Sequence, residues 1–177
     1  MKHLKKLMFL AVVMTVFLWI SSGVAEEIVV GYTGPLSGPA AEYGQDCANG
    51  IEMAVQDINA AGGIKVGSKS YLLKLEKLDD RVDPTQAVNN ARRMQSKGAI
   101  AIFNPVFTCI AALKKINEEK GAEFVLMGYT STPKATEIAN QLHVSIPPPF
   151  TVYNSAFLDM AWKQGWRKAA MLITLGA

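Results

Sequence analysis

Several residues in this sequence could do chemistry, but their spacing argues against most of it. Asp79 and Asp80 are adjacent carboxylates. At the end of an extended strand, neighbours point to opposite faces. They therefore make a poor acid–base pair for glycoside cleavage, which needs two carboxylates flanking one bond, and they read as a solvated turn. Ser37 lies among glycines, yet no G-x-S-x-G elbow surrounds it. His143 falls inside an expected strand, so a Ser-His-Asp triad has no support. The segment GYTGPLSG (31–38) resembles a nucleotide loop, but it lacks the Lys-Ser/Thr ending and the G-x-G-x-x-G spacing. Two cysteines and two histidines recur at no metal-ligand spacing, so neither a metal nor a cofactor is expected. Cys47 and Cys109 read either as one disulfide or as two separate buried thiols.

What remains is a set of polar loops rich in hydroxyls and glycines, suited to holding a small polar molecule without reacting it. Backbone N–H groups at helix starts attract a carboxylate, hydroxyls complete its hydrogen bonds, and an aromatic ring covers the apolar part.

The elements that would position these loops follow from the apolar pattern. Ile28–Tyr32, Tyr71–Leu78, Ala99–Phe103, Glu123–Met127 and Leu142–Ile146 read as buried strands. Helices are expected over Gln45–Ala61, from Asp83 to Lys97, over Cys109–Lys120, weakly around Thr136–Gln141, and over Asn154–Gly165. Ala48, Ile51, Ala54, Val55 and Ile58 form the inward stripe of the first helix, and Ala87, Val88, Ala91 and Met94 that of the second. Asp83-Pro84-Thr85-Gln86 is a capped helix start, and Gly62-Gly63 is a stop. Trp162 and Trp166, four apart on one helix, read as packing residues. Lys168–Leu175 reads as a further strand.

Apolar strands alternating with amphipathic helices predict an α/β fold, a parallel sheet flanked by helices on both faces. Ligands of such sheets bind beyond the carboxyl ends of the strands. That rule brings the loops Thr33–Gly44, Asn104–Thr108 and Gly128–Lys134 together. Pro147-Pro148-Pro149 is either a domain boundary or an ordinary loop.

The amino terminus reads as a secretory leader. Lys2, Lys5 and Lys6 precede an uncharged apolar run, Leu7–Ile20, and the small residues Ser21–Ala25 place cleavage between Ala25 and Glu26. The run has 14 residues, short of the roughly 20 that span a bilayer as a helix. The 177-residue chain carries 18 Lys and Arg against 15 Asp and Glu; removing the three leader lysines balances them. Nucleic acid is not an expected partner, because phosphate binding needs a local positive surplus.

The stretches GYTGPLSGPAAEYGQDCANGIEMAVQDINAAGGI (31–64) and LDDRVDPTQAVNNARRM (78–94) resemble the periplasmic branched-chain amino acid binding proteins of ABC importers, the leucine/isoleucine/valine-type receptors. The resemblance implies a type I periplasmic binding protein-like fold with two lobes hinged around a ligand. It also implies delivery to an ABC permease in the inner membrane. Members have two lobes and roughly twice this length. The expectation is a leader over 1–25, an N-terminal lobe over 26–146, and a hinge crossing with the start of a second lobe over 147–177.

The resemblance also assigns residues. Within Ser37–Gly44, Tyr43 matches the aromatic that lines the cleft. Phe107 falls where the family offers a serine to the ligand carboxylate, with Thr108 beside it. Tyr129 falls where a small residue offers its carbonyl to the ammonium, and Ser131 where a threonine binds the ligand. The disulfide positions of the best-known members are Val82 and Val106 here, so that bridge is absent. The ligand implied is a branched-chain or related amino acid, with amides, urea and aromatic acids not excluded by the Thr130–Thr132 turn. The same fold also serves signalling receptors, and a non-functional truncated remnant stays open beside them.

Overall fold

The computed structural model describes residues 26–137 and 139–170. The expected leader and positions 171–175 of the expected last strand lie outside the described residues. Lys168–Ala170, which are described, form no strand.

The described residues build one six-stranded sheet with helices against it. In chain order these are β1 (Glu26–Gly34), α1 (Ala41–Ala60), β2 (Ile64–Val66), β3 (Lys69–Asp79), α2 (Pro84–Gln95), β4 (Ala99–Asn104), α3 (Phe107–Leu113), β5 (Val125–Gly128), a 3₁₀ turn at Pro133–Ala135, β6 (His143–Ser145) and α4 (Phe150–Lys163). The sheet order is β2-β3-β1-β4-β5-β6. The β1–β3, β1–β4, β4–β5 and β5–β6 pairs are all parallel.

The sheet is nevertheless mixed, which corrects the expectation of a purely parallel one. β2 pairs antiparallel with β3 through a tight turn that holds Gly67 at positive φ. Ile64-Lys65-Val66 was too short for its alternation to register as a strand. The turn before β2 depends on Gly63, at φ 81, where an added Cβ would strike the carbonyl oxygen of Tyr71.

Period-two alternation sorts the strands onto two faces. Gly31 faces Met94 and Ile102, on the side where α2 and α3 pack. Ala87, Ala91, Met94, Ile102, Cys109, Ile110, Leu113, Leu126 and Phe124 form the core there, all at most 2% exposed. Val30 and Tyr32 face the other side, toward α1.

Helix α2 starts as its sequence dictates. Asp83 accepts hydrogen bonds from the amides of Thr85 (2.6 Å) and Gln86 (3.1 Å), and Pro84 occupies the first turn. Three helices depart from expectation, α4 by starting at Phe150 rather than Asn154 directly after the three prolines. α1 begins at Ala41 rather than Gln45, since Ala41 and Glu42 are strong helix formers. α3 covers Phe107–Leu113 rather than Cys109–Lys120. Beyond Leu113 the amides of Lys115 and Ile116 reach back three residues, to Ala112 and Leu113, so the helix tightens and stops. In place of a helix around Thr136–Gln141 there is only the 3₁₀ turn at Pro133–Ala135.

Candidate functional site

β1, β4 and β5 lie side by side and parallel, so their carboxyl ends open at a single edge. The loops that follow them meet there. Tyr43, in the first turn of α1, reaches across to the other two: its hydroxyl lies 3.4 Å from the carbonyl oxygen of Pro105 and 3.5 Å from that of Tyr129. Both contacts are long, so one proton is shared weakly between two acceptors. Burial, with Cys47 close by, pushes the Tyr43 hydroxyl up to about 12, so it remains a neutral donor at ordinary pH. Tyr43 and Tyr129 are each about half exposed at the mouth of the edge.

A buried polar network fixes where the loops leave the sheet. Asp80 has no accessible surface. It accepts from Thr33 Oγ1 (3.2 Å), Asn104 Nδ2 (2.9 Å) and the Val82 amide (3.0 Å). Asn104 Nδ2 also donates to the Thr33 carbonyl at 2.7 Å, and its Oδ1 accepts from the Val106 amide at 2.8 Å. Asn90 Nδ2 donates to Thr33 Oγ1 and to the Asp79 carbonyl. The Asp79 carboxylate takes the amides of Leu36 (2.9 Å) and Arg81 (3.0 Å) and the hydroxyl of Ser37.

The two acids therefore point apart, as expected, but they are not a solvated turn. Asp79 clamps the loop after β1, and Asp80 is a core residue satisfied by donors from two strands and from its own turn. Burial raises the Asp80 carboxyl, against hydrogen bonds from Val82, Asn104 and Thr33 that pull it down. Burial also lifts Asp79, but the donors from Ser37, Leu36 and Arg81 outweigh it and leave that carboxyl below its usual range. The same two carboxylates hold Arg81 and Val82 in left-handed backbone, at φ 53 and 65. That conformation is uncommon for any side chain and an outlier for a β-branched one.

The residues assigned from sequence all lie at this edge. Phe107, half-buried, and Thr108, exposed, form the first turn of α3 directly after Pro105. Ser131 follows Tyr129 by two residues, and its carbonyl accepts from the Phe150 amide at 2.9 Å. Of these five, only Tyr43 and Tyr129 are joined by a hydrogen bond among the described residues. Sequence reasoning missed Asn104, Asp80 and Thr33. The available signal was a polar residue at the carboxyl end of each of three apolar strands.

Below Tyr43 and Tyr129 a groove of about 550 Å³ runs between α1 and the sheet. It is lined by Val30, Ile51, Val55, Leu73, Phe103 and Ile146, with Asp46 as its acidic side chain. The α1 stripe expected to be core is only partly covered: Ala48 is buried, but Ala54 and Ile58 are exposed.

Cys47 also lines this groove, whereas Cys109 sits in the core under the opposite face of the sheet. Both are free thiols, which corrects the disulfide alternative. The sheet itself stands between them.

Residues 27–175 match the model of the periplasmic binding protein family, and the chain belongs to that family. It is 39% identical over 112 residues to the Leu/Ile/Val-binding protein of Escherichia coli K12, a stretch covering 63% of this chain and 28% of that one. It is 32% identical over 130 residues to an amino acid binding protein of Pseudomonas aeruginosa, covering 72% of this chain and 33% of that one. The matched stretches thus cover about a third or less of the length of these relatives. An extracellular ligand-binding receptor from Verminephrobacter eiseniae superposes with TM-score 0.69 at 20% identity, over 78% of this chain and 39% of the receptor. A solute-binding protein of an ABC transporter from R. palustris, in complex with benzoate, superposes with TM-score 0.59 at 23% identity, over 78% and 38%. These structures establish the type I fold. Among the described residues, no helix is long and apolar enough to cross a membrane.

Proposed function

We propose that this chain forms one wall of the ligand cleft of a periplasmic solute-binding protein, exported by a cleaved leader, that serves an ABC importer for branched-chain or related amino acids. The observation that supports this most is the Tyr43 hydroxyl reaching the carbonyls of Pro105 and Tyr129, because it gathers three loops around one hollow.

The binding involves no bond-making. The Tyr43 ring covers the apolar part of the ligand. Thr108 and the neighbouring amides receive its carboxylate in place of the family serine, which Phe107 cannot replace. The Tyr129 carbonyl, only weakly engaged by Tyr43, takes the ammonium, and Ser131 adds a hydroxyl. Tyr129 and Phe107 narrow the hollow relative to the leucine-type pattern, so smaller or flatter solutes, amides included, belong in the screen. An inner-membrane permease is the partner this role requires, and neither nucleic acid nor a cofactor has a part in it.

Calorimetry and thermal melts with leucine, valine, phenylalanine and small amides test the proposal. A ligand bound only by the folded form raises its stability as RT ln(1 + [L]/Kd). The expected result is a raised melting temperature with at least one of them, reduced by Tyr43→Ala and by Ser131→Ala. Identical melts with every solute would overturn it.

A further inference from the structure

We infer that Tyr32 is a positioning residue for the ligand site: its buried hydroxyl, donated to the Gly44 carbonyl, sets the first turn of α1 and so fixes where Tyr43 stands. Its bearing on a ligand rests on the function proposed above; its hold on α1 does not.

Alternation along β1 turns Tyr32 to the α1 side of the sheet, with Val30. The residue is 1% exposed, and a phenol taken out of water needs a partner for its O–H. That partner is the Gly44 carbonyl, 12 residues further on, at 2.7 Å. Burial pushes the hydroxyl above the usual phenol range, so it stays a donor at ordinary pH.

Two glycines make the slot. A Cβ at Gly34 would strike the Tyr32 ring and hydroxyl, and one at Gly44 would strike the Pro35 carbonyl. Neither takes the left-handed backbone seen at Gly38 and Gly63. They serve close approach rather than backbone freedom. Gly34 admits the ring, and Gly44 lets α1 come down onto the loop.

Helix α1 depends on this anchor because its start has little else. Its N-cap is Ala40, with no side-chain hydrogen bond, where Ser, Thr, Asp or Asn would ordinarily hold an amide. Asp79 holds the other end of the connecting loop, through the Leu36 amide and the Ser37 hydroxyl. Contact lengths then rank cause and consequence. The Tyr32 bond is short and buried. The Tyr43 contacts to Pro105 and Tyr129, at 3.4 and 3.5 Å, are too long to hold a helical turn in place. Tyr43 reaches those carbonyls because the residue after it is pinned from below.

NMR on the purified chain tests this without a ligand. In the parent, the Tyr32 hydroxyl proton should exchange slowly enough to be observed, and that of Tyr43 should not. Tyr32→Phe keeps the ring and removes the donor. Cross-relaxation from the Tyr43 ring to Pro105 and Tyr129 should then weaken, while that between Met94 and Ile102 in the core keeps the parent's strength. A loss of global stability alone moves neither, because both report the native state. Gly34→Ala, which crowds the hydroxyl from the strand side, should displace Tyr43 in the same way. A Tyr32 hydroxyl that exchanges as fast as that of Tyr43 overturns the inference, and so do Tyr43 contacts that survive Tyr32→Phe. For any solute that raises the parent's melting temperature, Tyr32→Phe should weaken Kd about two- to tenfold, the loss of one hydrogen bond, at a temperature where both proteins are folded. An unchanged Kd overturns the inference and leaves the proposed function standing. If no solute stabilises the parent, the proposed function falls, and the NMR result still settles the role of Tyr32 in placing Tyr43.

Discussion

The side-chain amide of Asn104 donates to the Asp80 carboxylate at 2.9 Å, inside a sheet edge where both residues are fully buried. This contact joins the ends of β3 and β4 across β1. Asn104 also accepts from Val106, so the same residue sets the start of the loop that carries Phe107 and Thr108.

Asn104→Leu should therefore be severely destabilising. It strips one of three donors from a buried carboxylate and leaves the Val106 amide without its partner. Leaving buried polar groups short of a hydrogen-bond partner costs about 1–3 kcal/mol, more for a charged one. Urea unfolding should show the midpoint falling with little change in slope. A shift below about 1 kcal/mol would mean the network relaxes freely.

His143 should make the fold acid-sensitive. Its Nε2 is buried without a hydrogen-bond partner among the described residues, and the ring lies against Gly128. Burial lowers its pKa from the usual 6.5, and the Lys114 ammonium lowers it further. A histidine depressed in the fold contributes stability above its unfolded value and loses it as pH falls below about 6.5. Urea midpoints should drop from pH 7.5 to pH 5.5, and His143→Gln should flatten that part of the profile.

Gly44 is the point where α1 crosses the loop after β1. A Cβ there would land on the backbone carbonyl of Pro35, and the Gly44 carbonyl accepts the Tyr32 hydroxyl at 2.7 Å. Gly44→Ala should cost about 1–3 kcal/mol, as overpacking does, despite alanine's higher helix propensity. A thermal melt of the variant at or above the parent's temperature would contradict this crossing.

The two thiols should differ in reactivity. Burial raises both, Cys109 to about 12, but Cys47 lines an open groove and Cys109 has no accessible surface. A thiol reagent should label Cys47 in the native protein and Cys109 only after urea is added. Two equivalents must appear in total; none would mean a disulfide.

The local elements were legible because their causes are local. Apolar β-branched runs made β1 and β4 readable, the Asp83-Pro84 cap marked the start of α2, and glycines marked the turns. The order of strands and helices then implied one loop edge, with Tyr43 and Tyr129 near it. The sequence determined which segments could meet. Only the tertiary structure decided that Asp80 is buried rather than solvated, that Asn104 is its donor, and that Cys47 and Cys109 face opposite sides of the sheet. Those outcomes depend on register between strands far apart in the chain, where a shift of one residue exchanges the two faces. The partial cover over α1 was hidden for the same reason: an apolar stripe states what a helix would bury, but not whether a partner is there to bury it.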